Sequence, residues 1–290
     1  MININASEVA ALVGKNPYKD PEEAIQNVLN RNVHRTPSVE DQKTRDICNS
    51  NKEARRLHQE MVANSRITKS TDQVDTFKQS YHENIETMKK TQTQEIKKKT
   101  KTEIETIEKE FSERIQSVKT RGQKTTLALE QRLAVLDAEN TASTSLTKVE
   151  TDMNHMKTMG TRQTNTEFGT RHEGNVADMY HEQTGRTIQK DDARKTMEFL
   201  PGFQIVGRFD GFNDEGTLIE IKNRMRRLFK TVPEYENTQV HVYMKMSGVT
   251  HAQLVERYQD QIMVHDVTMD DDFMEEIMTE LKDVCRSYFV

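Results

Sequence analysis

The stretch FQIVGRFDGFNDEGTLIEIKNR, residues 203–224, decides the fold that this sequence predicts. It contains two runs rich in apolar β-branched and aromatic residues, separated by the turn-forming cluster NDEG. The sequence therefore predicts a β-hairpin. Side chains alternate between the two faces of a strand, so Ile219 and Ile221 are expected to point into a core. Glu220 and Lys222 then share the opposite face.

The hairpin also predicts a chemical site. With the turn centred on the Asp-Glu pair of NDEG, Asp210 lies across from either Ile219 or Glu220, and a shift of one residue decides which. Two carboxylates that approach one point are costly unless a cation lies between them, and Mg²⁺ prefers such oxygen ligands. The amine of Lys222 then lies beside the ion, where it can orient water or stabilise charge on a phosphate. The alternative is a surface hairpin with an ordinary Glu–Lys neighbour pair.

Further secondary-structure signals surround the hairpin. Before it, EFGTRHEGNVADMYHEQTG predicts a helix that ends at Gly185. After it, YENTQVHVYMKMSG predicts a second helix, and HAQLVERY and QIMVHDVTM predict two strands. A last helix is expected from about Asp271 to Tyr288. This order predicts an α/β (α+β) fold in which helices flank a mixed sheet.

The middle of the chain has a different character. From Pro37 to about Gly160 it contains no further proline and one internal glycine, Gly122. Apolar residues recur there at steps of three and four, which is typical of a coiled-coil stripe. We expect two long helices in an antiparallel hairpin that reverses at Gly122, where a break costs least. The alternative is an unbroken helix paired with another subunit.

Composition limits the classes of protein to which the chain can belong. Hydrophobic residues make up 33% and charged residues 31% of the 290 residues, so one compact core spanning the whole chain is not expected. The formal net charge of −5 does not indicate a general nucleic-acid binder, although a local basic patch can serve. Cys48 and Cys285 match no metal-ligand spacing and indicate reduced thiols. Without an apolar run of membrane-spanning length, we expect a soluble, intracellular protein with no membrane partner.

The residues around the hairpin resemble a known family. Asp210, Glu220 and Lys222 form the pattern D-x9-E-x-K, which resembles the PD-(D/E)xK nuclease superfamily. The segment INASEVAALVGKNPYKDPEEAI, residues 4–25, looks like the N-terminal segment of the YqaJ-like viral recombinase family, to which the phage lambda exonuclease is similar. In that family a serine, here Ser7, follows the opening strand. Asp20 stands where the family usually has serine.

Two more family elements occur in the family's order. Gly169 and Glu173 match a G-x-x-x-E pattern on the helix before the hairpin, and Gln239 matches a glutamine on the helix after it. His241 stands where a second glutamine is common. The resemblance covers residues 1–35 and 161–290 and implies a restriction-endonuclease-like nuclease core. Residues 36–160 are then an inserted helical segment without a counterpart in the family.

The resemblance also implies a metal site and a water-positioning pair. The expected cofactor is Mg²⁺, with Mn²⁺ as an alternative, and Lys222 and Gln239 are expected to position the attacking water. The implied metal ligands are Asp210, Glu220, the carbonyl oxygen of Ile221, and Glu173. From its own sequence context, without the resemblance, Glu173 is interpreted as an acid on a helix surface.

Residues that hold DNA are also expected. The resemblance implies that Ser7 contacts a DNA phosphate. The position near the expected metal site predicts that four cations hold the phosphate backbone, namely Arg224, Arg226, Arg227 and Lys230. The residues alone leave alternatives, because Ser7 is also a candidate helix N-cap and the four cations also fit a solvated basic segment.

The predicted function is that of a metal-dependent deoxyribonuclease, namely an exonuclease acting on duplex ends in viral or phage recombination or replication. For a viral protein, the compartment is the host cytoplasm or nucleus. One alternative is a helical scaffold or nucleic-acid-binding protein whose core is catalytically inactive, and another is an endonuclease or RNA-degrading nuclease on the same core. The expected partners are DNA and, through residues 36–160, a second protein or a second copy of the chain.

Overall fold

The computed structural model describes residues 1–34, 36–66, 70–171, 173–191 and 193–289. The chain separates into two compact units, one of residues 1–43 with 165–290 and one of residues 44–164. All strands of the described residues belong to the first unit. The second unit is helical.

The chain begins with a strand and two helices and continues into four longer helices. These elements are β1 (Ile2–Asn5), α1 (Ala6–Leu12), α2 (Pro21–Leu29), a π-helical turn (Asn30–His34), α3 (Val39–Ser50), α4 (Lys52–Ser65), α5 (Thr71–Ser117) and α6 (Arg121–Arg171).

The remainder of the chain alternates between strands and helices. Its elements are α7 (Glu173–Thr184), β2 (Ile188–Lys190), β3 (Lys195–Leu200), β4 (Phe203–Gly207), β5 (Gly211–Asn213), β6 (Leu218–Asn223), α8 (Glu234–Ser247), β7 (His251–Tyr258), β8 (Gln261–Thr268) and α9 (Asp271–Tyr288).

The strands form two sheets. In the three-stranded sheet the order is β1-β4-β3, with β1 parallel and β3 antiparallel to β4. The five-stranded sheet has the order β2-β5-β6-β7-β8, in which only β6 and β7 are parallel. Parallel neighbours need a crossover, and α8 supplies it. The predicted α/β fold, a mixed sheet flanked by helices with a long helical insertion, is confirmed.

Helices cover both faces of the five-stranded sheet. Leu218 and Leu254 pack with α1, α2, α8 and α9 in the main hydrophobic core. Their neighbours Ile219 and Val255 point the other way and pack with Val176 of α7. This alternation places neighbouring residues of β6 in two different environments, as the period of a strand requires.

The N-terminal half of the predicted hairpin differs from the expectation. The run from Phe203 to Phe212 is divided into β4 and β5, which belong to different sheets. Gly207, where β4 ends, packs closely on α8, because a Cβ there would lie 2.6 Å from the Tyr243 ring. The three residues after it leave the strand, so Asp210 stands at the entry to β5 and not inside a continuous strand.

In the helical unit, α5 and α6 form an antiparallel hairpin. Lys89 contacts Glu150 at 2.8 Å, and Arg114 contacts Glu130 at 3.4 Å. The partners in the second pair, which is nearer to the turn, are closer together in sequence, as antiparallel helices require. The predicted reversal at Gly122 is wrong in position, since the turn occupies residues 118–120. The Thr120 hydroxyl accepts a hydrogen bond from the Gln123 N–H and thereby begins α6 before the glycine is reached.

The two ends of this hairpin are packed differently. Near its base, Ile85 and Met156 are fully buried in a core shared with α3 and α4. Residues 89–148, here called the distal arm, contain a single buried hydrophobic residue, Ala138. Leu129, Leu133 and Leu136 of this arm are exposed. Stability of the hairpin therefore comes mainly from its base.

Two remaining features bear on the sequence expectations. Cys48 and Cys285 carry free thiols. Among the helices in the described ranges, none has a stretch long and apolar enough to cross a lipid bilayer.

Candidate active site

The β5–β6 hairpin brings Asp210 to Glu220. Gly211 pairs with Ile219 in this register, so Asp210, one residue earlier, comes opposite Glu220. Of the two registers that the sequence left open, the structure therefore has the one that opposes the two acids. Oδ2 of Asp210 accepts a hydrogen bond of 2.6 Å from the Ile221 N–H. The next residue must be glycine, because a Cβ on Gly211 would lie 2.3 Å from the carbonyl oxygen of Gln189.

Glu220 and Lys222 lie on one face of β6, as the alternation predicts. Glu220 is only 5% exposed, and the ammonium of Lys222 lies 2.6 Å from its Oε1. The side chain of Lys222 is 23% exposed. The pair is thus buried at the carboxylate and partly exposed along the lysine side chain, unlike the ordinary surface pair that was the alternative interpretation.

Gln239 of α8 completes the cluster. Its Oε1 accepts from the Lys222 ammonium at 3.3 Å, and its Nε2 donates to Oε1 of Glu220 at 3.2 Å. The same Nε2 donates to the hydroxyl oxygen of Tyr243 at 3.1 Å. Gln239 and Tyr243 are four residues apart and therefore share one face of the helix. The amide holds the Glu220–Lys222 pair in a fixed geometry.

Burial changes the ionisation of this cluster. It raises the pKa of Glu220 to about 7, with the Asp210 charge adding to the effect and Lys222 opposing it. Burial also raises the pKa of Asp210, against the hydrogen bond from Ile221. For Lys222, burial alone would lower the pKa, but the Glu220 carboxylate outweighs it and the net shift is upward. The lysine therefore stays protonated and acts as a cation and donor, not as a base.

Two further metal ligands were predicted, the carbonyl oxygen of Ile221 and the side chain of Glu173. The carbonyl of Ile221 belongs to β6, between the two side chains of the Glu220–Lys222 pair. The prediction for the side chain of Glu173 lies outside the described residues. Among the residues that are described, no group of three or more His, Cys, Asp and Glu side chains is placed to hold a metal ion. The cluster offers two carboxylates for such an ion.

Arg224 has a different role from the one predicted. Its side chain is only 12% exposed, and its guanidinium pairs with both oxygens of Glu236, at 2.7 and 2.5 Å. It also pairs with Oε1 of Glu256, while Oε2 of Glu256 accepts from the Phe229 N–H at 2.7 Å. The prediction that Arg224 contacts DNA is therefore replaced by a structural role, because its donors are used inside the protein.

The other predicted DNA contacts lie at the surface. Arg226, Arg227 and Lys230 are exposed in the irregular segment that joins β6 to α8. Ser7 is exposed in the first turn of α1. Its alternative role as the N-cap is wrong, because Asn5 precedes the helix and donates its N–H to the Glu8 carboxylate at 3.1 Å.

His241 has a structural environment. It is 2% exposed, its Nδ1 lies 2.9 Å from the carbonyl oxygen of Asn237, and its Nε2 accepts from the Asp270 N–H at 3.2 Å. A carbonyl can only accept and an N–H can only donate, so the neutral tautomer with a proton on Nδ1 satisfies both contacts. The imidazole links α8 to the start of α9.

Sequence reasoning missed three participants. Tyr243 was detectable, because it follows Gln239 by one helical turn. Glu236 and Glu256 were not, since they lie 12 and 32 residues from Arg224 and no local pattern joins them.

Comparisons with known proteins give distant structural likenesses. The chain matches no family model and no curated protein. Among solved structures, it is similar to an alkaline exonuclease from Laribacter hongkongensis, with 23% identity and a TM-score of 0.37 over 43% of this chain and 68% of the other. The same enzyme in complex with dAMP gives 21% identity and a TM-score of 0.37 over 50% and 80%. TM-scores this low support no conclusion about function.

Proposed function

We propose that this protein is a metal-dependent nuclease that hydrolyses phosphodiester bonds in DNA. The observation that carries the proposal is the cluster at the β5–β6 hairpin, where Asp210 opposes Glu220 and Lys222 bonds to Glu220 and Gln239. An acid pair beside a permanently charged amine suits a reaction in which negative charge develops on phosphate oxygens.

The donor set of the cluster fits a hard divalent cation. Ile221 N–H occupies Oδ2 of Asp210, and Lys222 and Gln239 both contact Oε1 of Glu220. The second oxygen of each carboxylate would hold the ion together with the carbonyl of Ile221. Burial raises the pKa of both acids and so disfavours their charged forms, which a bound cation would offset. We propose Mg²⁺, with Mn²⁺ as an alternative, since both prefer oxygen ligands.

Each residue of the cluster has a defined task in this proposal. A bound Mg²⁺ supplies Lewis-acid polarisation of the phosphate and activation of water. Lys222 stays protonated, so it donates hydrogen bonds to water or to a phosphate oxygen. Gln239 fixes the position of the Lys222 amine, and Tyr243 fixes the amide of Gln239. Arg226, Arg227 and Lys230 hold the phosphate backbone in the adjacent segment, where contacts position a substrate without selecting a sequence.

The finer assignment follows the sequence resemblance. We propose membership of the PD-(D/E)xK superfamily close to the YqaJ-like viral recombinases, with an exonuclease activity on DNA ends in viral or phage recombination. Glu173 is the proposed additional metal ligand, and Ser7 a contact to a DNA phosphate. Residues 36–160 are the proposed insertion through which a second protein or another copy of the chain binds.

The test compares wild-type protein with Lys222→Ala on linear duplex DNA with Mg²⁺. We expect the variant to cleave at least about 10²-fold more slowly, because it loses a charge aimed at the reacting phosphate. EDTA should stop cleavage by the wild type. Arg286→Ala is a matched control, because this exposed cation of α9 pairs only peripherally with Asp283 at 3.4 Å. Equal rates for wild type and Lys222→Ala would remove Lys222 from the mechanism.

The same assay separates the alternatives. Cleavage of linear but not closed circular DNA indicates an exonuclease, and cleavage of both indicates an endonuclease. Preference for RNA would reassign the substrate. Absence of cleavage on every substrate, with Mg²⁺ or Mn²⁺, would favour an inactive scaffold on a nuclease core.

A further inference from the structure

Exposed Tyr18 and half-buried Tyr235 form an aromatic pair one helical turn from the candidate active site. Tyr18 is 81% exposed, the highest value among the large hydrophobic residues in the described ranges. Its ring meets the ring of Tyr235 edge to face, with centroids 5.8 Å apart and planes at 88°. Tyr235 precedes Gln239 by four residues on α8, so the two share a face and are separated by about 6 Å along the helix axis.

The turn that carries Tyr18 is fixed at both ends. The side-chain oxygen of Asn16 accepts from the Tyr18 N–H at 3.0 Å, and the Asp20 carboxylate accepts from the Glu22 N–H at 2.9 Å as α2 begins. Before the turn, the Lys15 ammonium binds Glu234 of α8 at 3.3 Å and Glu276 of α9 at 2.6 Å. An exposed ring held in this way loses little conformational freedom when a ligand binds it.

Cations lie next to the pair in sequence. The segment between β6 and α8 exposes Arg226, Arg227 and Lys230 and ends at Pro233, two residues before Tyr235. Exposed aromatic rings beside cations are the combination with which proteins hold unpaired nucleotides, because the ring stacks on a base and the cations attract the phosphates. The edge-to-face contact with Tyr235 leaves most of the Tyr18 ring open to water.

We propose that Tyr18 and Tyr235 form a stacking platform for a nucleobase of an unpaired strand that enters the candidate active site. The inference rests on the proposed nuclease function and adds a substrate preference to it. A base inside a duplex has both faces covered, and the terminal base of a blunt end has one face covered and is held by its pairing partner, so neither reaches the Tyr18 ring as freely as an unpaired base. Single strands and frayed ends are therefore bound better than blunt duplex ends, with little dependence on base identity.

Binding measurements in EDTA test the platform without cleavage. Labelled single-stranded DNA is titrated with the full-length protein, and its Kd is followed by fluorescence anisotropy. We expect Tyr18→Ala to weaken this Kd about fivefold or more, whereas Tyr18→Phe retains the stacking ring and stays within about twofold. Tyr288→Ala removes another exposed tyrosine, next to Phe289, which packs on Phe203, and should leave the Kd unchanged. Thermal melts of each variant verify that it is folded.

Two further measurements, one with blunt duplex and one with a fluorescent base, locate the contact between Tyr18 and the DNA. The Kd for blunt duplex should change less than about twofold in Tyr18→Ala, because paired bases do not reach the ring. A 2-aminopurine at the end of the single strand should be quenched by the wild type and by Tyr18→Phe, and less by Tyr18→Ala. Unchanged single-strand binding in Tyr18→Ala, equal weakening for blunt duplex, or no single-strand binding by the wild type would overturn the platform.

The failure of the platform and the failure of the nuclease function give different results. If the wild type cleaves DNA with Mg²⁺ but Tyr18→Ala binds single strands normally, the platform is wrong and the nuclease stands. If the wild type cleaves nothing but Tyr18→Ala loses single-strand binding, the site holds nucleic acid without hydrolysing it.

Discussion

Two clusters of buried charge lie along β6 and α8, and they differ in how their carboxylate oxygens are used. In the first, the Arg224 guanidinium and the Phe229 N–H supply donors to both oxygens of Glu236 and of Glu256. In the second, the donors from the described residues contact one oxygen of Asp210 and one of Glu220. A fully paired acid holds the fold together, whereas an acid with an oxygen to spare can bind a ligand.

No pattern in the sequence predicts this difference between the two clusters. Glu220 and Lys222 project to one side of β6, and Arg224 follows Lys222 by two residues, directly after the strand ends at Asn223. What separates them is the set of partners that the fold supplies: α8 and β7 bring two glutamates to the arginine, and the hairpin brings an aspartate to Glu220. The end of β6 and the residue after it therefore carry a candidate catalytic pair and a structural ion pair two residues apart.

Removal of Arg224 tests the structural role of the first cluster. Arg224→Met leaves Glu236 and Glu256 buried without their cation, and we expect the free energy of unfolding to fall by about 3–5 kcal/mol. Urea unfolding measures this loss. Arg226→Met is the matched control, since that side chain is exposed two residues away, and it should cost less than about 0.5 kcal/mol. Equal losses in the free energy of unfolding for the two variants would show that buried Arg224 stabilises the fold no more than an exposed arginine does.

A smaller effect is expected in metal-free protein, where Glu220 makes the stability depend on pH. Because the pKa of Glu220 is raised from its ordinary 4.5 to about 7, the folded state retains this proton over a pH range in which the unfolded state releases it. Stability is therefore fully present below about pH 4.5 and falls as the pH rises to about 7, by about 3 kcal/mol.

Urea unfolding in EDTA at several pH values tests this dependence. Glu220→Gln removes the titrating group, so the difference in stability between the variant and the wild type should grow across this window. Parallel pH curves for the two proteins would mean that Glu220 titrates normally.

The smallest effect is expected at the edge of the second cluster. Tyr243→Phe removes one hydrogen bond to Gln239 and keeps the ring, so stability should fall by about 0.5–1.5 kcal/mol. Cleavage should slow only a few-fold, since Gln239 still contacts Lys222 and Glu220. Tyr288→Phe, at an exposed tyrosine, should change neither property. A loss of cleavage as large as that of Lys222→Ala would instead place Tyr243 in direct contact with the reaction.

The parts of the fold that the sequence predicted best have strong local signals. The strand β7 occupies the predicted residues 251–258, and the last helix runs from Asp271 to Tyr288 as expected. Gly185 and Gly248 both adopt positive φ at helix ends, which is the reason that glycine marks them. Alternation and helix caps act within a few residues and are legible in sequence.

The parts that were missed depend on distant partners. β2 has three residues and β3 begins with Lys-Thr, so neither carries a clear apolar run. The division of residues 203–212 between two sheets follows from packing on α8 and pairing with β1, which no local pattern encodes. In the candidate site, the order of Asp210, Glu220 and Lys222 was predictable, but the burial of Arg224 was not.

The base of the helical hairpin has a consequence for how its length is set. A Cβ on Gly160 would lie 2.3 Å from the ring of Tyr81, and the Tyr81 hydroxyl donates to the carbonyl oxygen of Met156, so the register of α5 against α6 is fixed there. The distal arm adds pairwise contacts to a register already decided. The length of the distal arm can therefore change without changing the register at the base. Removing or adding seven residues in each helix changes the length of the arm by about 10 Å and leaves the packing of the base unchanged.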